Sequence, residues 1–241
     1  MTTATALRAP GQFRSFLRAV HPRQALAFAL VVALLVALMG RPAREVLVAA
    51  AAVLVAQLIL GLVNDILDAE VDRRSGATGK PVAEGIIPSG NASFGVAVLL
   101  LLVLPLSLQN GTAAGIFLLL TLVVGFVHNK WLHHTALSWV GWAATFALLT
   151  FFVTLGCWGR DADGSAPLTG FIALCAVLGV LVHFLTSLPD LVVDNRAGVR
   201  SLPLRVGRRI GAPRLLLLTA VATVAVLVAI VYTALSVGIA P

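Results

Sequence analysis

Four oxygen-bearing side chains, Asn64, Asp65, Asp68 and Asp72, close an apolar run in this sequence. On a helix they fall within about 100° of the wheel, on one face over two turns. Glu70 points elsewhere. Oxygen ligands grouped in this way suit a hard cation such as Mg²⁺. A helix C-terminus disfavours anions through its dipole, so several acids placed there call for a cation. A metal held there needs an anionic ligand, and the basic residues Arg73, Arg74 and Lys80 follow at once.

A second acidic pair, Asp190 and Asp194, closes a later apolar run. Four residues apart, the two stand one above the other on a helix. Pro189 has no N–H to give the carbonyl of Leu185, so a kink is expected beside the pair. Arg196, Arg200, Arg205, Arg208 and Arg209 come next. Each acidic face continues into its apolar run. Gln57 and Gly61 lie one and two turns below Asn64 and Asp68, and His183 and Thr186 lie below Asp190. If the two runs face each other, these polar stripes line one cavity. Trp139, Trp142 and Phe146, at i, i+3 and i+7, form an aromatic stripe that could border it.

The elements that position these residues are set by composition. The chain has 241 residues, is 59% hydrophobic and 11% charged, and has a mean hydropathy of +1.01. Soluble domains are about one quarter charged. The apolar runs do not alternate every second residue, so the expected fold is all-α, a polytopic membrane helical bundle. About seven transmembrane helices can be drawn, at roughly 24–40, 44–66, 92–109, 112–129, 136–157, 168–190 and 213–237. No long or low-complexity linker divides the chain, so residues 1–241 read as a single domain. No small-residue cleavage site closes the first run, which reads as a retained span. Cys157 and Cys175 lack metal-ligand spacing, and a disulfide framework is not expected.

The net charge of +7 gives no reason to invoke nucleic acid, because topology explains the basic residues. Fourteen of the 17 Lys and Arg fall in the N-terminal arm, the loops after spans 2 and 4, and the segment from span 6 through Arg214. Only Arg41, Arg44 and Arg160 fall on the other side. The positive-inside rule then places the N-terminus and both acidic clusters on the cytoplasmic side of a multi-pass protein of the cell membrane.

These residues resemble the UbiA superfamily of intramembrane prenyltransferases. Asn64-Asp65-x-x-Asp68-x-x-x-Asp72 is similar to that family's first motif, and Lys80-Pro81 through Gly85-Ile86 to the loop after it. Asp190-x-x-x-Asp194, then Gly198-x-x-Ser201-Leu202-Pro203, is similar to the second motif and its trailer. Asn129, Leu132 and Thr135 sit where the middle cytoplasmic loop carries similar residues. The resemblance runs from about residue 10 to 215. Three features depart from the pattern. His128 and His133, with Lys130 nearby, stand where the family offers Tyr and Lys, and Gly198 stands near the place of a third acid. Most members have nine helices against about seven here, a shortfall compatible with a compact variant, a homo-oligomer or a non-catalytic remnant.

The resemblance implies Mg²⁺ ions that bridge an isoprenyl diphosphate, with Asn64, Asp65, Asp68, Asp72, Asp190 and Asp194 as metal-binding residues. Asp65, Asp68, Asp190 and Asp194 would be the catalytic core of that set. Diphosphate contacts would fall to Lys80, Lys130 and Arg200, with Arg73 and His133 in support. The metals and cations would promote ionisation to an allylic cation that a lipophilic acceptor, aromatic or quinone-precursor, then attacks. Two other activities fit the same residues. A terpene cyclase would need no acceptor and would use the aromatic stripe. A non-enzymatic ion-binding or transport protein would spread its acids through the bilayer depth, whereas these sit at one level.

Overall fold

The computed structural model describes residues 12–236 and 238, except 77, 157–165 and 197. Arg8, Cys157 and Arg160 therefore lie outside the described residues. Ten α-helices form and no strand is present among the described residues. They are α1 (Gln12–Ala19), α2 (Pro22–Leu38), α3 (Ala43–Ser75), α4 (Ser89–Leu108), α5 (Thr112–Val127), α6 (Ser138–Leu155), α7 (Thr169–Ser187), α8 (Leu191–Arg196), α9 (Leu202–Ile210) and α10 (Ala212–Ser236). A π turn, His128–Leu132, follows α5, and a 3₁₀ turn, Leu188–Asp190, joins α7 to α8.

Six helical stretches are long and apolar enough to cross a membrane: Ala43–Arg74, Ser89–Leu108, Thr112–Leu132, Ser138–Leu155, Thr169–Arg196 and Ala212–Ser236. The first expected span is the shorter apolar helix α2, with 17 residues. At 1.5 Å per residue it rises about 25 Å, below the roughly 30 Å of a hydrocarbon core. Large apolar side chains such as Leu34 on α2, Leu101 on α4 and Leu218 on α10 are exposed. Water would penalise that surface, whereas lipid tails do not.

The helices pack in chain order: α2 on α3, α3 on α4, α4 on α5, α5 on α6, α6 on α7, and α7 on α10. α3 also contacts α5, so it stands inside the arrangement. Its small residues Ala49, Ala52 and Ala56 are buried in the main apolar core with Val36, Val103, Leu118 and Phe152. A second core, built from Leu62, Ala69, Val82, Ile87 and Ala92, seats the loop after α3 against the helix. Small residues allow close helix approach in a membrane. A Cβ at Gly179 of α7 would lie 2.5 Å from the Trp142 carbonyl oxygen of α6, so glycine is what lets these two helices touch.

Candidate active site

α3 carries the first acidic motif on the same continuous helix as its membrane-crossing stretch. It ends at Gly76, whose φ of 67° is the left-handed C-cap that glycine adopts without strain. The loop beyond is folded onto itself. The Glu84 N–H donates to the Lys80 carbonyl at 2.9 Å, and the Gly79 N–H donates to Glu84 Oε1 at 2.6 Å. Val82 and Ile87 are buried on α3. This packing holds Lys80 Nζ 3.6 Å from Asp72 Oδ2 and 3.8 Å from Asp65 Oδ1.

Within the motif the acids have different environments. Asn64 Nδ2 donates to Asp68 Oδ2 at 2.7 Å, and His134 Nε2 lies 3.9 Å from Asp68 Oδ1. Asp65 is only 1% exposed, and its Oδ2 accepts the Val82 N–H at 3.2 Å. Glu70 pairs with Arg73 and Arg74 on the exposed side of the helix.

On the other side, α7 ends where Pro189 interrupts its hydrogen bonds. The backbone tightens into the 3₁₀ turn Leu188–Asp190 and resumes as α8, at the place where the missing N–H predicts a kink. Deeper in α7, His183 Nε2 and Ser138 Oγ are 2.9 Å apart, and Ser138 Oγ also accepts the Leu202 N–H. One hydroxyl thus ties α6, α7 and α9 together. Trp142 stacks on His183 with ring centroids 5.6 Å apart.

A cavity of about 740 Å³ lies among α2, α3, the π turn, α6 and α7–α8. Asn64, Asp68, Asp72, Asp190, Asp194, Lys80 and His133 all line it. So do Gln57, Gly61, His183, Thr186 and Trp142. The two acidic motifs, about 120 residues apart in sequence, thus open onto one space. α3 and α7 are not a tightly packed pair; they stand on two sides of it.

Other expected site residues are placed elsewhere. Asp65 does not line the cavity, and its hydrogen bond shows it anchoring the Lys80 loop. Lys130 is exposed and lies over the rings of Trp131 and Phe126, at 5.0 and 5.6 Å, rather than over the acids. Arg73 is held by Glu70. Arg200 is exposed, and its backbone N–H donates to the His134 carbonyl at 3.0 Å. Trp139 is exposed, and Phe146 packs on Phe28 and Gly179 outside the cavity lining, so one of the three aromatic residues borders the space. A closed cation cage on one helix face does not form either. Among the described residues no three His, Cys, Asp or Glu side chains converge on a point that could hold a metal ion.

Four histidines add to the cavity beyond His183: His21, His128, His133 and His134. The π turn and the two residues after it supply three of them. The His133 N–H donates to the His128 carbonyl at 2.8 Å, and the two rings lie 5.7 Å apart. Burial holds the His133 imidazole below its ordinary value, and the adjacent His134 pushes the same way. Asp68 opposes that shift, Lys80 reinforces it, and Asp190 opposes it. His21 and His134 were not expected from the sequence. Each reaches the site from a segment that carries no acid, so wheel arithmetic on the two motifs could not find them.

The family model for UbiA, the UbiA prenyltransferase family, matches residues 25–241. The chain belongs to the UbiA prenyltransferase family. Solved structures with this fold are similar over most of its length. One is a UbiA homologue from Archaeoglobus fulgidus bound to GPP and Mg²⁺, with a TM-score of 0.70 and 16% identity over 90% of this chain and 77% of that one. A UbiA homologue from Archaeoglobus fulgidus bound to DMAPP and Mg²⁺ gives a TM-score of 0.68 at 16% identity, with 90% and 77% covered. A structure described for digeranylgeranylglyceryl phosphate synthase gives a TM-score of 0.62 at 17% identity, over 94% of this chain and 89% of that one. At these identities the likeness is one of fold. No curated protein matches the sequence. Family membership and the apolar helices make this UbiA protein a multi-pass membrane protein.

Proposed function

We propose that this UbiA protein transfers an isoprenyl group from an isoprenyl diphosphate to a lipophilic acceptor, with Mg²⁺ as cofactor. The observation that carries the reading is the single cavity lined by Asn64, Asp68 and Asp72 from one wall and Asp190 and Asp194 from the other. The homologue bound to GPP and Mg²⁺ supports the choice of ligand.

The donor set fits the ion. Mg²⁺ dehydrates reluctantly and is usually held by one or two carboxylates, with phosphate oxygens and water completing its octahedron. Acids spread over two walls, with no three converging among the described residues, suit ions shared with a diphosphate better than a cage made by protein alone. Asn64, Asp68 and Asp72 would hold one side and Asp190 and Asp194 the other. Ions bound there would take up the charge that gathers on the departing diphosphate. Lys80 supplies a further cation, held at the acid level by the packed loop. Asn64 orients the Asp68 carboxylate through its amide. Trp142 and Phe28 border the same space and offer π faces to an allylic cation. The C1–O bond breaks first, with its electron pair leaving on diphosphate; the acceptor then bonds to C1 of the allylic cation and gives up a proton to solvent. The proposed topology keeps the N-terminus and this cavity on the cytoplasmic side, where the basic loops lie.

The test is one incubation of purified protein in detergent with Mg²⁺ and geranyl, farnesyl or geranylgeranyl diphosphate, with and without a membrane lipid extract. Mass spectrometry should find a prenylated product only with the extract. Hydrocarbons formed without the extract would replace this reading with a cyclase. Diphosphate release independent of any acceptor would count against transfer.

A further inference from the structure

His21 sits between α1 and α2 with φ 49° and ψ 57°, the one left-handed non-glycine residue among the described residues. A Cβ in that conformation crowds its own backbone, so residues other than glycine are uncommon there, although histidine, asparagine and aspartate enter it more often than the rest. Such strain persists only where surrounding structure enforces it, and it concentrates at functional sites. Here the enforcement is visible. The carbonyl oxygen of Val20 would lie 2.6 Å from a Cβ at Gly61, so the α1–α2 junction is pressed onto α3 at a glycine that itself lines the cavity.

This backbone places an imidazole in the cavity wall. His21 lines the same space as Asp68 and Lys80. Its Nε2 is buried and has no hydrogen-bond partner. A buried ring nitrogen without a partner costs free energy in a protein that has no further use for it. Burial lowers the pKa of this ring, the Lys80 charge lowers it too, and Asp68 opposes them, so the ring and the acid level share one electrostatic neighbourhood.

We propose that His21 is a further diphosphate-binding residue, donating its Nε2–H to a diphosphate oxygen from the α1–α2 junction, opposite in sequence origin to the Lys80 loop. The inference rests on the reading of the cavity as a diphosphate site. It explains why a strained histidine stands where glycine would fit the backbone, and why its nitrogen lacks a protein partner.

The experiment is calorimetric titration of inorganic diphosphate into the purified full chain in detergent with Mg²⁺, with thermal unfolding of each protein alongside. His21→Gly removes the donor and relieves the backbone, so Tm should stay equal or rise while Kd weakens roughly tenfold, the scale of one hydrogen bond to a charged group. His21→Asn also tolerates the left-handed backbone but is too short to bring a donor to the same point, and it should show the same loss. His21→Gln keeps a donor of similar reach and should recover most of the affinity. Wild-type Kd in both the Gly and the Asn variants would overturn the inference. A wild-type protein that binds no diphosphate would instead overturn the reading of the cavity on which it rests.

Discussion

Neighbouring acids in the first motif have different surroundings, and substitution should separate them. Asp68 lines the cavity and bonds to Asn64, while Asp65 is buried and holds the Val82 N–H. Asp68→Ala is expected to reduce turnover on the order of 10²-fold or more with little change in Tm, because the main loss is a charge-stabilising contact in the cavity. Asp65→Ala should instead lower Tm, because a buried N–H left without its acceptor costs about 1–3 kcal/mol. It should also raise KM for the diphosphate as the Lys80 loop loosens. Kinetics and thermal unfolding of the two variants side by side check this; matching profiles would contradict the division of roles. His133 gives a pH prediction. Its folded pKa is depressed by burial, so the unfolded chain binds its proton more readily. The contribution is nil above the ordinary histidine value, near 6.5, and becomes a growing penalty as pH falls from there through the folded value. Lowering the pH from 7.5 to 5 should therefore cost the wild type more Tm than it costs His133→Gln.

At the scale of elements, glycines set how closely helices carry their cavity residues together. Gly179→Ala puts a Cβ 2.5 Å from the Trp142 carbonyl oxygen, a backbone atom that cannot swing away. α6 and α7 must separate, at a cost of about 1–3 kcal/mol. The Trp142–His183 stack and the hydrogen bond between His183 and Ser138 should open with them. Lower Tm together with lost activity is expected; an unchanged Tm would show that the pair can shift freely. The π turn illustrates the limit of element reading from sequence. Lys130 has the charge that a diphosphate site wants, but a turn with an i to i+5 bond rotates its residues away from the 100° wheel. The side chain leaves over Phe126 and Trp131. By contrast the break at Pro189 was legible, because one missing N–H decides it locally.

Across the whole molecule, what the sequence carries locally could be read from it, and what depends on long-range packing could not. Apolar runs gave the membrane-crossing helices, and i, i+4 spacing placed Asn64, Asp68 and Asp72 on one face. Asp65 shares that wheel sector, yet Val82 and the loop core cover it, and nothing in the motif announces that contact. His21 and His134 join the site because α2 and the segment after the π turn fold back to it. On the proposed function, two motifs from distant parts of the chain form one clamp on a diphosphate. Residues that act as a unit lose function together, so their effects do not add. The decisive measurement is kcat/KM against Mg²⁺ concentration for Asp68→Asn, Asp194→Asn and the double variant. One shared site predicts that each single variant needs more Mg²⁺ and that the double variant is little worse than either. Effects that add in free energy, with the Mg²⁺ dependence of Asp194→Asn unchanged from wild type, would contradict it.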